Sequence, residues 1–265
     1  MQKIFIDQLN REVSFNYPPK RIISIVPSQT ELLFELGLSE EIIGITKFCV
    51  HPLQQFKQKT KVGGTKKLNL ELIRSMNPDL IIGNKEENSR EDIEMLSREF
   101  PVWMSDVYTL EDAMKTIIQI AELVDRQPEA AYLNFLINAG FTDLQTLALQ
   151  QGIDKKVIYL IWKDPYMIAG KDTFIDDILT KNGLTNVCKE SRYLEIQLDT
   201  IVSLKPELVF LSSEPYPFKE EDIAVLRSAL PDAKIMLVDG EMFSWHGSRL
   251  VKAVQYLFQL QKELI

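Results

Sequence analysis

The segment NLELIRSMNPDLII, residues 69–82, decides the fold, because QLDTIVSLKPELVF at 197–210 aligns with it without gaps and matches it at five positions. Each copy predicts an amphipathic helix, a proline and a short apolar strand, at Leu80–Gly83 and at Leu208–Leu211. A polar loop, a second helix and a second strand follow in both copies. Strands that alternate with helices are typical of parallel α/β sheets. The repeat therefore predicts two α/β lobes.

Both lobes also begin alike, with an apolar run, a polar or glycine-containing turn and a helix. The runs are Ile22–Val26 and Val157–Ile161, and each is expected to form a strand. In the first of the two helices, Ser28 and Glu31 have the spacing of a capping box. Gly37 and Gly183 are expected to end these two helices.

Two further segments complete the organisation. Residues 3–15 alternate as a small hairpin, which is expected to cover a sheet edge. The residues from Gln127 to Gln151 have helical apolar spacing and predict one stiff helix, about 33 Å long for some 22 residues. The predicted domains are therefore an N-terminal lobe at 1–126, a connecting helix at 127–151 and a C-terminal lobe at 152–265.

Composition excludes several classes of protein. The chain has 265 residues, 45% hydrophobic and 26% charged, which is typical of a folded soluble protein. A net charge of −8 argues against a nucleic-acid surface. The two cysteines, Cys49 and Cys188, form no metal-binding or disulfide pattern. No stretch is long and apolar enough for a membrane span, and the first 20 residues lack a secretory signal.

Catalytic and nucleotide-binding motifs are absent from the sequence, so we expect neither an enzyme nor a cofactor. The two histidines, His51 and His246, follow predicted strands, and such loops face the ligand crevice of α/β sheets. They are candidate metal ligands across a cleft, or simply two loop histidines, since no third ligand is evident. No direct metal site is therefore assigned.

The segment FSWHGSRL, residues 243–250, is the strongest candidate for ligand contact. Trp245, His246 and Arg249 would present an aromatic and cationic surface to a large flat ligand. The alternative is a tryptophan-anchored helix start with Ser248 as its N-cap. In the other lobe, Phe48 and the Lys66-Lys67 pair are loop residues that can meet an anionic or amphiphilic ligand, although the lysines also fit a solvated charge run.

The repeat also pairs two acidic residues, Glu71 and Asp199, at equivalent positions. Acids near helix N-termini interact favourably with the helix dipole, which is sufficient to explain them. They can also be paired docking points for a two-fold symmetric basic partner.

Five motifs in this order resemble the cobalamin and iron-siderophore substrate-binding proteins of ABC importers, over residues 20 to 262. They are RIISIVPSQTELLFELGL, GITKFCVHP, VGGTKKLNLELIRSMNPDLII, GKDTFIDDILTKNGLTNV and LDTIVSLKPELVFLS. The resemblance implies two Rossmann-like lobes joined by one rigid helix, with a metal chelate held in the crevice between them. It also implies that Glu71 and Asp199 bind arginines of the importer's membrane subunits.

The resemblance does not identify which metal chelate the protein binds. Where the cobalamin-binding member has aromatic residues, this chain has Phe48, Thr65 and Asn84, and only Phe48 is aromatic. Haem or a ferric chelate fits Trp245, His246 and Arg249 at least as well.

We therefore expect a monomeric, non-catalytic binding protein of the periplasm or cell envelope that hands its metal chelate to an importer. The missing leader leaves a cytoplasmic location open. The alternatives are a cytosolic haem or corrinoid carrier or sensor, and a chelatase-like enzyme.

Overall fold

A computed structural model describes residues 1–264, which form two compact units. Unit 1 contains residues 1–107, 111–135 and 246–249, and unit 2 contains residues 108–110, 136–245 and 250–264. The elements up to the middle of the chain are β1 (Gln2–Ile6), β2 (Glu12–Asn16), β3 (Ile22–Ser24), α1 (Pro27–Glu35), β4 (Ile42–Ile45), α2 (Leu53–Gln58), β5 (Thr60–Lys61), β6 (Gly63–Gly64), β7 (Lys67–Leu68), α3 (Leu70–Met76), β8 (Leu80–Asn84), α4 (Arg90–Leu96), β9 (Val102–Ser105), α5 (Leu110–Val124) and α6 (Gln127–Gln151).

The remaining elements are β10 (Lys155–Trp162), β11 (Tyr166–Ala169), α7 (Phe174–Lys181), β12 (Leu184–Asn186), β13 (Tyr193–Ile196), α8 (Leu198–Ser203), β14 (Leu208–Ser212), α9 (Glu220–Ala229), β15 (Lys234–Val238), α10 (Glu241–Ser244) and α11 (Leu250–Leu264). The α/β class predicted from the repeat is confirmed: both copies run helix, strand, helix, strand.

Unit 1 is built on a parallel sheet in the order β5-β4-β3-β8-β9. Strands β3, β8 and β9 are short, and every one of their residues is buried, as parallel strands covered on both faces require. Ile22 lies opposite Leu80, and Ile81 lies opposite Val102. Ile23, Ile81 and Val102, which are neighbours across three strands, pack with Ile73 of α3 and other apolar residues in one hydrophobic cluster.

The N-terminal hairpin covers an edge of this sheet, as predicted. β1 and β2 pair antiparallel, and their connecting loop reaches the edge strand β9. Gln8 N donates to Met104 O at 3.0 Å, and Arg11 Nη2 donates to Val102 O at 3.2 Å. These hydrogen bonds satisfy carbonyl groups that an open edge would leave unpaired.

Unit 2 has a mixed sheet in the order β13-β11-β10-β14-β15, with β12 also paired to β10. Its central strands β12, β10, β14 and β15 are parallel, and β11 and β13 are antiparallel additions. Val157 lies opposite Leu208 as Ile22 lies opposite Leu80 in unit 1. The two units thus share the order first strand, repeat strand, following strand.

Both copies of the sequence repeat have an acidic residue at the same position, Asp79 or Glu207. This residue explains part of the likeness between the two sheets. Asp79 accepts hydrogen bonds from the backbone of Lys20 and Arg21, at 2.7 and 2.8 Å, where β3 is about to begin. Glu207 accepts from Lys156 N at 2.9 Å at the start of β10. In both units, a carboxylate therefore fixes the register between the first strand and the repeat strand.

Helix α6 is continuous over 25 residues, which confirms the predicted helix at 127–151. Gly140 lies inside it because α11 approaches closely: a Cβ atom there would lie 2.8 Å from Val254 Cγ1. Gly37 and Gly183 follow the ends of α1 and α7 with φ of 82° and 78°, so both predicted helix stops are confirmed.

The predicted capping box of α1 is wrong. The helix begins at Pro27, whose fixed φ suits the first helical position, so Ser28 lies inside the first turn and makes no cap. The Glu31 side chain bonds elsewhere, as described below. Within residues 1–264, no helix combines the length and apolar character that crossing a bilayer requires.

Candidate functional site

In unit 1, the loops that leave the carboxyl ends of β3, β4 and β8 lie at one edge of the sheet, since these strands are parallel. Phe48 follows β4 and is 52% exposed. Its ring covers Gly64 so closely that a Cβ atom there would lie 3.1 Å from Phe48 Cε2. Lys47 Nζ lies 5.0 Å from the centre of the same ring. The loop after β4 and the β6–β7 turn thus form one aromatic and cationic surface.

Buried asparagines join this surface to the loop after β8. Asn84 Oδ1 accepts from Glu86 N at 2.8 Å, and Asn84 N donates to Asn88 Oδ1 at 2.8 Å. Asn88 Nδ2 in turn donates to Thr65 O at 3.1 Å, and Lys66 Nζ donates to Glu86 O. The structure therefore brings Phe48, Lys66 and Asn84 to one edge, with the Asn84 amide holding the loop together.

His51 also lies in the loop after β4, where it is half-buried. It belongs to unit 1, and so does His246, which the sequence assigns to the other lobe. Among the side chains of residues 1–264, no three from His, Cys, Asp or Glu come together as a metal ion would need.

In unit 2, an aromatic cluster lies at the carboxyl ends of β10 and β14, and the sequence analysis missed it. Trp162 ends β10, is 39% exposed and meets Tyr216 edge-on, with ring centroids 5.7 Å apart. Tyr216 meets Phe218 at 4.8 Å, and its N–H donates to Ile161 O at 3.3 Å. The available signal is that Trp162 directly follows one predicted strand and that the segment PYPF at 215–218 lies in the loop after another.

Trp245 is buried, and its indole is held by a carboxylate. Trp245 Nε1 donates to Glu214 Oε1 at 2.9 Å, and Ser244 Oγ donates to the same oxygen at 2.8 Å. Glu214 follows β14, so Trp245 joins α10 to the loop after that strand. This arrangement matches the anchoring alternative for FSWHGSRL, although Ser248 is not the cap: its buried Oγ has no hydrogen-bond partner within residues 1–264.

Arg249 is also buried and forms a bidentate ion pair with Glu31 of helix α1. Arg249 Nε and Nη2 lie 2.8 Å from the two carboxylate oxygens. The guanidinium charge is thus balanced inside unit 1. The sequence does not indicate this pair, because the two residues lie 218 positions apart. The sequence predicts that Arg249 contacts the ligand. In the structure, the Arg249 guanidinium binds the carboxylate of Glu31.

His246 precedes this ion pair and is neutral near pH 7. Burial lowers the pKa of His246 to about 4, and a backbone hydrogen bond opposes the shift only in part. Because the folded-state pKa lies below the unfolded value, protonation disfavours the folded protein as the pH falls from about 6.5 towards 4. In its neutral form the buried imidazole adds no uncompensated charge to unit 1.

Glu71 and Asp199 occupy the same structural position in the two units. Each is the second residue of the helix that precedes the repeat strand, α3 and α8 respectively, and each is exposed. Asn69 Oδ1 caps α3 by accepting from Leu72 N at 3.0 Å, whereas α8 has no side-chain cap. The sequence repeat is therefore a structural repeat at these two acids.

Comparison with known proteins finds that the periplasmic binding protein family matches residues 22–229. An uncharacterized ABC transporter substrate-binding lipoprotein of Bacillus subtilis is 24% identical over 95% of this chain and 82% of its own length. A vitamin B12-binding protein of Pectobacterium carotovorum is 24% identical over 90% of this chain and 87% of its own.

A solved structure has the same fold. The periplasmic heme-binding protein of Roseiflexus sp. RS-1, in its apo form, superposes with a TM-score of 0.82 and 19% identity, covering 92% of this chain and 98% of that one.

The buried ion pair yields a stability prediction. Glu31→Gln or Arg249→Met alone leaves one charge buried without its partner and should lower the unfolding free energy by about 3–5 kcal/mol in urea titrations. Combining Glu31→Leu with Arg249→Met removes both charges and should cost less than either single change.

The exposed Arg90–Glu94 pair is the matched control, and Glu94→Gln should leave the urea midpoint near that of the wild type. Single variants of the buried pair that unfold at the wild-type midpoint would contradict the structural role of Arg249.

Proposed function

Because the chain belongs to the periplasmic binding protein family, we propose that it captures a metal chelate and delivers it to an ABC importer. The observation that carries the proposal is that each unit has an exposed aromatic surface at the carboxyl-end edge of its sheet. These surfaces are Phe48 in unit 1 and, in unit 2, the exposed Trp162 with the half-buried Tyr216 against it. The binding of vitamin B12 and of heme by relatives of this fold supports a flat, metal-containing ligand.

The chemistry of these surfaces suits capture and release. An exposed aromatic ring offers a large apolar face at little cost in conformational entropy. Lys47 and Lys66 place positive charge beside Phe48, where carboxylate or other anionic groups of a chelate would be favoured. We assign ligand contact first to Phe48, Lys47 and Lys66. We add His51, which lies with Lys47 and Phe48 in the loop after β4. None of this requires a covalent step, so we propose a binding protein and not an enzyme.

Trp245, His246 and Arg249 take a different part in this proposal. All three are buried; Trp245 supports the loop after β14 through its bond to Glu214, and Arg249 is held by Glu31 of helix α1. Asn84 acts likewise in unit 1, because its amide fixes the backbone of the loop after β8.

We propose that Glu71 and Asp199 dock the protein to the importer's membrane subunits. Both carboxylates are exposed, neither forms a recorded ion pair within residues 1–264, and they recur at equivalent positions. A permease built from two like subunits would present two like basic sites, which matches one acid in each unit. This role places the protein in the cell envelope, as a substrate-binding lipoprotein or a periplasmic protein.

Ligand binding is tested by titrating the protein with hemin, cobalamin and ferric catecholate or hydroxamate chelates while recording tryptophan fluorescence. Of the three tryptophans, Trp162 is the exposed one, so quenching should come mainly from it. We expect at least one chelate to bind with a Kd below about 10 µM, or about −7 kcal/mol. Trp162→Ala removes the reporting tryptophan, so its affinity is measured from the visible absorption of the chelate, and it should be weaker by about tenfold.

Tyr132→Ala is the control, since Tyr132 is an exposed aromatic residue on helix α6, away from the strand ends. No binding of any of these chelates in this range would contradict the proposed function. Equal losses in the two variants would contradict the assigned surface.

Docking is tested by reversing both charges, with Glu71→Lys and Asp199→Lys in one protein. Uptake of the chelate by the reconstituted importer should be lost, whereas chelate affinity should stay unchanged, because the acids lie on helices α3 and α8 and not in the loops that carry the aromatic surfaces. The control carries Glu91→Lys and Glu221→Lys, which change net charge equally in the first turns of α4 and α9. Normal uptake by the Glu71 and Asp199 variant would refute the docking role.

A further inference from the structure

Lys163 and Asp222 form an ion pair that ties together the two loops of the aromatic cluster in unit 2. Lys163 directly follows Trp162, the last residue of β10. Asp222 lies in the first turn of α9, beyond the loop that carries Tyr216. Lys163 Nζ donates to Asp222 Oδ1 at 2.7 Å, across 59 positions of the sequence. The ion pair therefore joins the strand end that carries one ring to the helix start that follows the other.

The Asp222 carboxylate is buried and uses both of its oxygens. Its side chain is 6% exposed, against 24% for Lys163. While Oδ1 accepts from Lys163, Oδ2 accepts from Lys219 N at 2.9 Å, where α9 begins. Burial opposes ionisation of Asp222, but the hydrogen bonds from Lys163 and Lys219 outweigh it and lower the pKa of the carboxyl group. One anion thus holds the Lys163 ammonium and the backbone just after Phe218.

The two rings on either side of this ion pair are weakly held by packing. Trp162 is 39% exposed. It meets Tyr216 edge-on, with ring centroids 5.7 Å apart, although the two rings come from different loops. A backbone hydrogen bond from Tyr216 N to Ile161 O also joins the loops, but it is long, at 3.3 Å. An edge-to-face contact of this kind persists only if both loops keep their separation, which the ion pair fixes.

This ion pair differs from the exposed ones of the chain. Arg90 and Glu94 lie one turn apart on α4, and their side chains are 90% and 53% exposed, so solvent screens their attraction. Removing the charge of Lys163 would instead leave the buried Asp222 carboxylate without its cation. The start of α9 would have to shift for that carboxylate to reach water. The loop before α9, which carries Tyr216, would shift with it.

We propose that the Lys163–Asp222 ion pair positions Trp162 against Tyr216, so that this aromatic surface is formed before a ligand arrives. This role rests on the proposed function, in which these rings contact the ligand. Neither charged residue needs to touch the ligand, because each acts through the rings. A surface that is already formed removes the entropy cost of ordering two loops on binding. If it were formed only about a fifth of the time, the Kd would rise about fivefold.

Tryptophan fluorescence of the free protein tests the positioning without any ligand. Lys163→Met keeps a long side chain but removes the charge, so Trp162 should lose its fixed contact. Acrylamide should then quench it more strongly, and the near-ultraviolet circular dichroism of the coupled rings should weaken. Lys163→Arg keeps the ion pair and should retain the wild-type signals. Lys171→Met is the matched control, because Lys171 forms a 2.9 Å ion pair with Asp176 of α7 in the same unit.

Asp222→Asn is a second variant that spares the helix start. The asparagine Oδ1 can still accept from Lys219 N, but it carries no charge to hold Lys163. Acrylamide quenching should rise in this variant as it does in Lys163→Met. Urea titrations establish that both variants are folded under the conditions of measurement.

Chelate affinity tests whether the ion pair acts through the aromatic surface. It is measured from the visible absorption of hemin, cobalamin or the ferric chelate, whichever binds the wild-type protein. Lys163→Met should raise the Kd about fivefold, whereas Lys163→Arg and Lys171→Met should not. In a protein that already carries Trp162→Ala, Lys163→Met should raise it by less than about twofold, because the ring that the ion pair positions is gone.

Wild-type quenching in both Lys163→Met and Asp222→Asn would overturn the positioning role, whether or not any chelate binds. Equal losses of affinity with and without Trp162 would show that Lys163 acts elsewhere. An equal loss in Lys171→Met would reduce the effect to net charge, and altered quenching with unchanged affinity would overturn the role in ligand binding. If no chelate binds the wild-type protein, the proposed function fails, and stronger quenching would still support the hold of the ion pair on Trp162.

Discussion

Parallel pairing of β3, β8 and β9, and again of β10, β14 and β15, determines where the helices and loops of each unit can lie. Two parallel neighbours cannot be joined by a tight turn, so a helix must cross over between them. All the loops that follow these strands then leave from the same edge of each sheet. Phe48 in unit 1 and Trp162 and Tyr216 in unit 2 lie in or next to such loops, and their common location follows from strand direction.

The pairing itself is fixed by carboxylates that precede the repeat strands. Asp79 and Glu207 bind the backbone N–H groups where the neighbouring strand starts. A slip of one residue would break these hydrogen bonds and turn every buried side chain of the strand to the opposite face. The two acids are among the features that the halves of the sequence share, which ties the repeat directly to sheet register.

Local patterns made most of the fold predictable from the sequence. The repeat, the hairpin at residues 3–15 and helix α6 rest on spacing and turn residues within short windows, and all three were found where expected. The capping box failed for a local reason as well, because Pro27 begins α1 one residue before the proposed cap. The spacing of Ser28 and Glu31 and the presence of Pro27 predict different first residues for α1. The helix begins at Pro27 because the fixed φ of proline suits the first helical position.

The candidate site was harder to predict because its contacts are distant in the chain. FSWHGSRL has the composition of a ligand surface, yet Arg249 pairs with Glu31 and Trp245 with Glu214, and no short window contains either partner. Trp162 and Tyr216 meet across 54 positions for the same reason. Residue type alone does not distinguish an aromatic residue that supports a loop from one that faces a ligand.

Hydrogen–deuterium exchange with and without bound chelate can locate the ligand-binding surface, because it reports which backbone segments a ligand protects. With hemin or cobalamin, whichever binds more tightly, we expect slower exchange in residues 46–53, 162–166 and 213–218. Protection confined to other segments, with these three loops unchanged at saturating ligand, would contradict it.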